Sequence, residues 1–398
     1  MYRDVVVASS RLGDTPSGAR REVCSSATDQ RPSTEPRRYA GHRRREPSGV
    51  LDYADRVGRG SVRTADSRPA GFVVSREASM PVARPLIAAV ALMTVLVTGC
   101  SGSDAPPRPT GDIGVATGNR GGVYAAYGAG YAELLDRGLP DATAPVLYTG
   151  GSVDNLRRVG AGEARVGFTL ADSAADAVGG RAPFAEPVPV VPLAALYDNY
   201  VQLVVPSDSP VRSVADLRGR RVSLGAGASG TAVTAERILD VAGLSPDGDV
   251  AGERLDVRAS ASALAEGRID AFFWSGGLPT SAITQLRRTT PIRLVDLGDV
   301  VGGLTRSYGE LYTETTVPAF VYGEQSAVST VSVPNFLVVR RDMPEAEAYW
   351  LTRVLFQGTR ELIRVHPEAR RLDRRTAIAT YPLELHPGAE RWYKESRP

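Results

Sequence analysis

From Asp112 onward the chain alternates short apolar strands with helical runs, and three of the strand-to-helix turns are rich in glycine. Gly114 to Thr117 reads as a strand that runs through Thr117-Gly118-Asn119-Arg120-Gly121-Gly122-Val123-Tyr124 into a helix ending at Arg137. A strand near Pro145 to Thr149 meets Thr149-Gly150-Gly151-Ser152 and a helix from Val153 to about Val159. The strand Arg221 to Leu224 passes Gly225-Ala226-Gly227-Ala228-Ser229-Gly230-Thr231 and enters a helix to Ala242. This rhythm predicts an α/β fold with a mainly parallel, doubly wound sheet.

The first series continues through a strand over Arg165 to Leu170 and a helix over Asp172 to Val178. A second series follows the strand Val201 to Val205, with a helix at Ser213 to Leu217, a strand at Arg254 to Ala259 and a helix at Ser262 to Glu266. It closes with a strand at Ile269 to Phe273 and a helix at Thr280 to Arg288. The apolar run Val331 to Val339 then leads into a long amphipathic helix over Glu345 to Arg364. Two series joined by extended strands predict two lobes with crossovers near 201 and 335. Leu156 to Phe168 (LRRVGAGEARVGF) and Leu264 to Phe273 (LAEGRIDAFF) echo each other as helix end, glycine cap and strand, which fits two related lobes.

Glycine turns at helix starts suit a bound anion, since a ligand can approach the backbone and meet unpaired N–H groups at the positive end of the dipole. Ser152, Ser229 and Thr231 can add hydroxyl donors, or can cap their own helices. Gly225, Gly227 and Gly230 also spell G-x-G-x-x-G, but the following strand ends Val257-Arg258-Ala259-Ser260 with no acid for a ribose, so no nicotinamide cofactor is expected. Tyr124, Tyr127, Tyr197, Tyr200, Trp274 and Tyr322 lie near strand ends or glycine turns. Trp274, followed by Ser275-Gly276-Gly277, is placed on an exposed rim.

Catalytic signals are sparse. His366 and His386 each precede proline, which marks helix boundaries rather than a site. No serine sits in G-x-S-x-G, no Ser-x-x-Lys is present, and no His or Cys cluster has metal-ligand spacing. The chain is therefore not expected to be an enzyme, and neither cofactor nor metal is expected. The rival reading, a lipid-anchored enzyme acting on cell-wall material, would rest on Asp172 and Asp198, both more readily read as helix-cap or turn residues.

Residues 80 to 103 read MPVARPLIAAVALMTVLVTGCSGS. The apolar run from Leu86 to Val97 suits a signal-peptide core and is shorter than the roughly 20 residues of a membrane span. Val97-Thr98-Gly99-Cys100 resembles the lipobox of bacterial lipoproteins, which implies lipidation at Cys100 and a protein exported to the outer face of the cytoplasmic membrane. Residues 1–79 read as a disordered extension or an over-extended translation start, 80–99 as the signal peptide and 100–111 as a tether. Residues 1–99 hold 16 arginines and 10 acidic residues, which leaves 31 basic against 35 acidic side chains in the remainder. That balance gives no basic face, and nucleic acid is not an expected partner.

The ordered motifs GGxY, TGGSxxN, GxGxSGT, SGGxPT (Ser275 to Thr280), VPxFxY (Val317 to Tyr322) and HPGAExxY (His386 to Tyr393) span residues 112 to 395. The series resembles the TAXI-type solute receptors of TRAP transporters. The resemblance implies a two-lobed, type II periplasmic-binding-protein-like clamshell with hinge strands, lobe I being 112–200 plus 336–398 and lobe II 201–335. It implies a monomeric receptor that captures a small organic acid, of the glutamate or 2-oxoglutarate type, for the transporter's membrane subunits. By matched motif the ligand would meet Gly121, Gly122 and Tyr124 at the first turn, then Gly151, Ser152 and Asn155 at the second. Ser229, Gly230 and Thr231 would serve at the third, with Trp274 and Gly276 opposite.

Overall fold

Two long strands organise the molecule, Val190–Pro206 (β4) and Val328–Arg340 (β10), paired antiparallel along much of their length. They belong to a computed structural model that describes residues 105–396; the signal-peptide stretch and Cys100 lie outside the described residues. Seventeen and thirteen residues are long for strands, and both are buried almost throughout, polar residues such as Asn199, Gln202 and Asn335 included.

The remaining strands gather on either side of this pair. Val115–Ala116 (β1), Val146–Leu147 (β2) and Val166–Leu170 (β3) form one wing. Arg221–Ser223 (β5), Ala251–Glu253 (β6) and Ala271–Gly276 (β7) form the other. The sheet order is β2-β1-β3-β10-β4-β7-β5-β6, with Ile292–Val295 (β8) added to β4 and Thr313–Val317 (β9) to β10. Within each wing the strands are parallel, but β10 runs antiparallel to both β3 and β4, and β4 to β7. The sheet is thus mixed, not mainly parallel, because the linking strands carry the chain directly between wings without a crossover helix.

Neighbours change partway along both linking strands. Val190 to Tyr200 of β4 faces β10, while Tyr200 to Val204 pairs with Gly276 to Phe272 of β7. Asn335 to Val339 of β10 pairs with β3, and Val328 to Ser332 pairs with β9, with a register shift between Pro334 and Phe336. Separate cores follow: one joins Ile113–Leu139 residues with the C-terminal Trp350, Leu351 and Tyr393, another joins Val201 to Leu239 residues with Phe273 and Val331. The result is a two-lobed α/β architecture joined by two extended strands.

The helices longer than one turn are Val123–Gly138 (α1), Ser152–Ala161 (α2), Ala171–Gly179 (α3), Gly230–Val241 (α4), Val257–Ala265 (α5), Ser281–Thr289 (α6), Gly298–Tyr308 (α7), Glu345–Gln357 (α8), Thr359–Val365 (α9) and Pro387–Glu395 (α10). Three expectations are corrected. Arg254 to Ala259 is not a strand: Asp256 accepts the amides of Arg258 and Ala259 and so starts α5, while the strand lies earlier, at β6. The helix expected over Glu345 to Arg364 is two helices, broken at Gly358, whose α-carbon packs against Leu134 with no room for a side chain. The expected tether is partly folded, since Trp350 Nε1 donates to the Pro106 carbonyl at 2.8 Å and Arg108 lies over the Trp350 ring.

The echo between the two series has a physical basis. Helices α2 and α5 both stop at a left-handed glycine, Gly162 at φ 78° and Gly267 at φ 69°, before β3 and β7 begin. A Cβ at either would meet nothing within 4 Å, so backbone conformation, not space, selects glycine there. Both histidine–proline pairs start helical segments, with His366 Nδ1 accepting from Glu368 N and His386 Nδ1 from Gly388 N.

Candidate functional site

The three glycine turns follow β1, β2 and β5, at the carboxyl ends of parallel strands in both wings. All three line one narrow cleft between the wings. Gly122, Tyr124, Gly151, Ser152, Ser229, Gly230, Thr231, Trp274 and Gly276 are among its walls, together with Asn119, Leu170, Tyr197, Asn199 and Ser275.

Two expected residues lie elsewhere. Gly121 turns away from the cavity at φ 94°; its carbonyl accepts the Ser281 hydroxyl at 2.9 Å, and the Arg258 side chain packs beside it. Asn155 is fully buried and points into the sheet. Its Nδ2 donates to the carbonyls of Thr117 and Phe168, and its Oδ1 accepts Thr149 Oγ1 at 2.6 Å, so it staples the ends of β1 and β3 to the second turn. Trp274 is a buried wall, not an exposed rim. Its Nε1 donates to Thr280 Oγ1 at 2.9 Å, and its ring lies against Gly122, where a Cβ would come within 3.1 Å.

Helices α1, α2 and α4 begin at this cavity with no acidic residue in the first turn of α1 or α4. The first amides of a helix have no intrahelical partner, so Val123, Tyr124, Ser152, Gly230 and Thr231 each bring an N–H to the walls. The hydroxyls divide by role. Ser229 is spent on its helix, accepting Ala232 N at 3.1 Å and donating to the Ala226 carbonyl at 2.7 Å. Ser152 Oγ accepts Leu170 N at 3.0 Å and is hydrogen-bonded to the Tyr124 hydroxyl, which donates to Asn335 Oδ1. Thr231 Oγ1 accepts Ser275 N at 3.2 Å, which leaves its own proton to donate. Asn335 Nδ2 donates to Asn199 Oδ1 at 2.9 Å and Asn199 Nδ2 to Ser275 Oγ at 3.2 Å, so the polar chain crosses from one wing to the other.

The wings touch on both sides of the cavity. Asp154 N donates to the Ala228 carbonyl at 3.1 Å, and Gly151 faces Ser229. Farther in, Asp172 and Asp176 of α3 meet Arg237 of α4, and Tyr312 donates to Asp172 at 2.6 Å. Asp172 thus belongs to a buried ion-pair network rather than to a helix cap. Burial pushes the Asp176 carboxyl above its ordinary range, opposed by the Arg237 charge. Asp198 lies in β4, and burial raises its carboxyl against the pull of Arg371. Burial also drives the Tyr124 and Tyr197 hydroxyls well above the usual phenol range, so both remain protonated.

Among the described residues no group of three His, Cys, Asp or Glu side chains is placed to hold a metal, and no helix is long and apolar enough to cross a membrane. Asn199, Ser275 and Leu170 were not among the expected site residues. The signal for Asn199 was present: Asp198-Asn199 interrupts the long apolar stretch from Pro187 to Val205.

Solved structures similar to this chain include the periplasmic aliphatic sulphonate binding protein SsuA from Escherichia coli, at 16% identity and TM-score 0.42, covering 73% of this chain and 84% of that one. A binding protein component of an ABC phosphonate transporter from Pseudomonas aeruginosa matches at 9% identity and TM-score 0.45, covering 65% and 79%. A putative L-cystine ABC transporter from Listeria monocytogenes matches at 14% identity and TM-score 0.40, covering 64% and 94%. The model of the NMT1-like family matches residues 115–396, nearly all of the described residues, and the protein belongs to that family.

Proposed function

We propose that this protein is an extracytoplasmic solute receptor, tethered through a lipid on Cys100, that closes its two lobes on a small organic acid. In this reading it hands the acid to the membrane subunits of a TRAP-type transporter, as its resemblance to TAXI receptors implies, and glutamate and 2-oxoglutarate define the ligand type to test first. The observation that carries it is the convergence of three helix starts, from both wings, on one cleft.

A carboxylate there accepts hydrogen bonds from the first amides of α2 and α4 and from Thr231 Oγ1. Charge-assisted bonds contribute roughly 1.5–3 kcal/mol each, and each helix terminus about 0.3–1 kcal/mol. Four or five such bonds supply the roughly 8 kcal/mol of micromolar binding before ordering costs. Opening bends β4 and β10 where their neighbours change, at Tyr200 and around Pro334, between lobe I (112–200 plus 336–398) and lobe II (201–335). Thermal-shift measurements with mono- and dicarboxylates, amino acids and sugars test the reading. Stabilisation by acids without turnover is expected; turnover, or stabilisation by sugars alone, contradicts it.

A further inference from the structure

The receptor reading above leaves the charge of the ligand open, and the walls of the cavity bear on it. Not one of its lining side chains is charged: they are glycines, Val123, Leu170, four serine or threonine residues, two asparagines and three aromatic residues. Two buried carboxylates lie behind the wall. Asp172 is within electrostatic reach of Tyr124, and Glu368 of Tyr197. Each already has its own cation, Asp172 facing Arg237 and Glu368 facing Arg371 at 3.2 Å. Neither arginine lines the cavity.

One carboxylate can be satisfied by the fixed amide dipoles of the helix starts. A second, at the far end of the same small molecule, would be buried among Tyr197, Asn199 and Trp274 with no cation opposite and two carboxylates behind the wall, which desolvation makes costly. The same region holds a donor with nothing to donate to. The Tyr197 hydroxyl is buried and has no hydrogen-bond partner, although the residue lines the cavity and its ring is fixed by stacking on Tyr127 at 6.0 Å. Buried hydroxyls are rarely left unpaired, so an acceptor on a bound molecule is its natural complement.

We infer that the site selects a monocarboxylate whose uncharged remainder offers a hydrogen-bond acceptor to Tyr197, and that it discriminates against dicarboxylates. The inference rests on the receptor reading and narrows it away from the glutamate and 2-oxoglutarate type. Isothermal titration of the full chain with two matched pairs tests it: 2-oxopentanoate against 2-oxoglutarate, and 2-hydroxypentanoate against 2-hydroxyglutarate. Within each pair a methyl group replaces the second carboxylate. The monocarboxylate of at least one pair is expected to bind tenfold or more tighter than its partner. Tyr197→Phe is expected to weaken that binding about fivefold or more, while Tyr127→Phe, whose hydroxyl is also unpaired but lies outside the cavity walls, leaves it unchanged. Dicarboxylates binding as tightly or tighter would overturn this inference and leave the receptor reading standing. Binding by none of the four would overturn both, and equal effects of the two tyrosine variants would remove Tyr197 from the ligand's contacts.

Discussion

Gly230, the first residue of α4, packs directly onto Ser152, the first residue of α2: a Cβ on Gly230 would lie 2.7 Å from Ser152 Oγ and 2.5 Å from the Leu170 side chain. The two helix starts come from different wings, so the proposed opening of the lobes would break this contact. Gly230→Ala places a methyl in that gap while favouring helix formation locally. We expect ligand affinity to fall about tenfold or more, equivalent to about 1.4 kcal/mol, with an unchanged melting temperature for the ligand-free protein. Loss of both together would show that the contact supports the fold rather than closure.

The hydroxyls of Thr231 and Ser229 have separable roles. Thr231→Val removes the one turn hydroxyl whose proton has no acceptor within the protein, and should weaken acid binding about tenfold. Ser229→Ala removes a cap and should cost about 1 kcal/mol of stability, with affinity changed less than threefold. Titration calorimetry and urea unfolding on the same two variants give the comparison, and a reversed pattern would exchange the roles assigned here.

Asn155 stands behind the cavity wall, and its substitution should report on the fold. Asn155→Asp keeps the shape but leaves the Thr117 and Phe168 carbonyls facing an acceptor. Urea unfolding should show a loss of about 2–4 kcal/mol, the cost of orphaning buried polar groups. A variant of wild-type stability with abolished binding would instead place Asn155 in contact with ligand.

His386 links stability to pH. Its Nδ1 accepts Gly388 N at 3.1 Å and its Nε2 lies 2.9 Å from the Met343 carbonyl, a pattern that fits the neutral ring protonated at Nε2. Burial lowers its proton affinity below the ordinary histidine range. The unfolded chain therefore binds the proton more readily, so this contribution is present above about pH 6.5 and is lost as pH falls through the depressed folded value. The raised carboxyls of Asp176 and Glu368 act in the opposite sense, losing stability as pH rises past the unfolded range. His386→Asn replaces the Nδ1 acceptor by a capping amide oxygen that does not titrate and should flatten the decline in urea midpoint between pH 7 and 5 relative to wild type. An identical slope would contradict the assignment.

The sequence was most legible where backbone chemistry is local. Glycine turns followed by Ser152 or Ser229 mark helix starts whatever surrounds them, and the same holds for His366-Pro367 and His386-Pro387. Two failures came from weighing apolar pattern above capping: Asp256 at the start of α5, and Gly358 between α8 and α9. The polar floor of the cavity was harder to read. Asn199, Ser275 and Asn335 meet only because β4, β7 and β10 pair in a particular register, and register across linking strands leaves no local trace in the chain. Asn155 fell in a turn motif, yet its neighbours Thr117 and Phe168 belong to strands that only the folded sheet brings beside it.

The central claim is that fixed amides at helix starts from both lobes hold an anion in a cavity without charged side chains. Calorimetric titration of the tightest-binding acid beside its own carboxamide tests this most directly. The account predicts that replacing the carboxylate by the amide, at nearly constant shape, weakens binding at least thirtyfold, about 2 kcal/mol. Equal affinity for the two would contradict it.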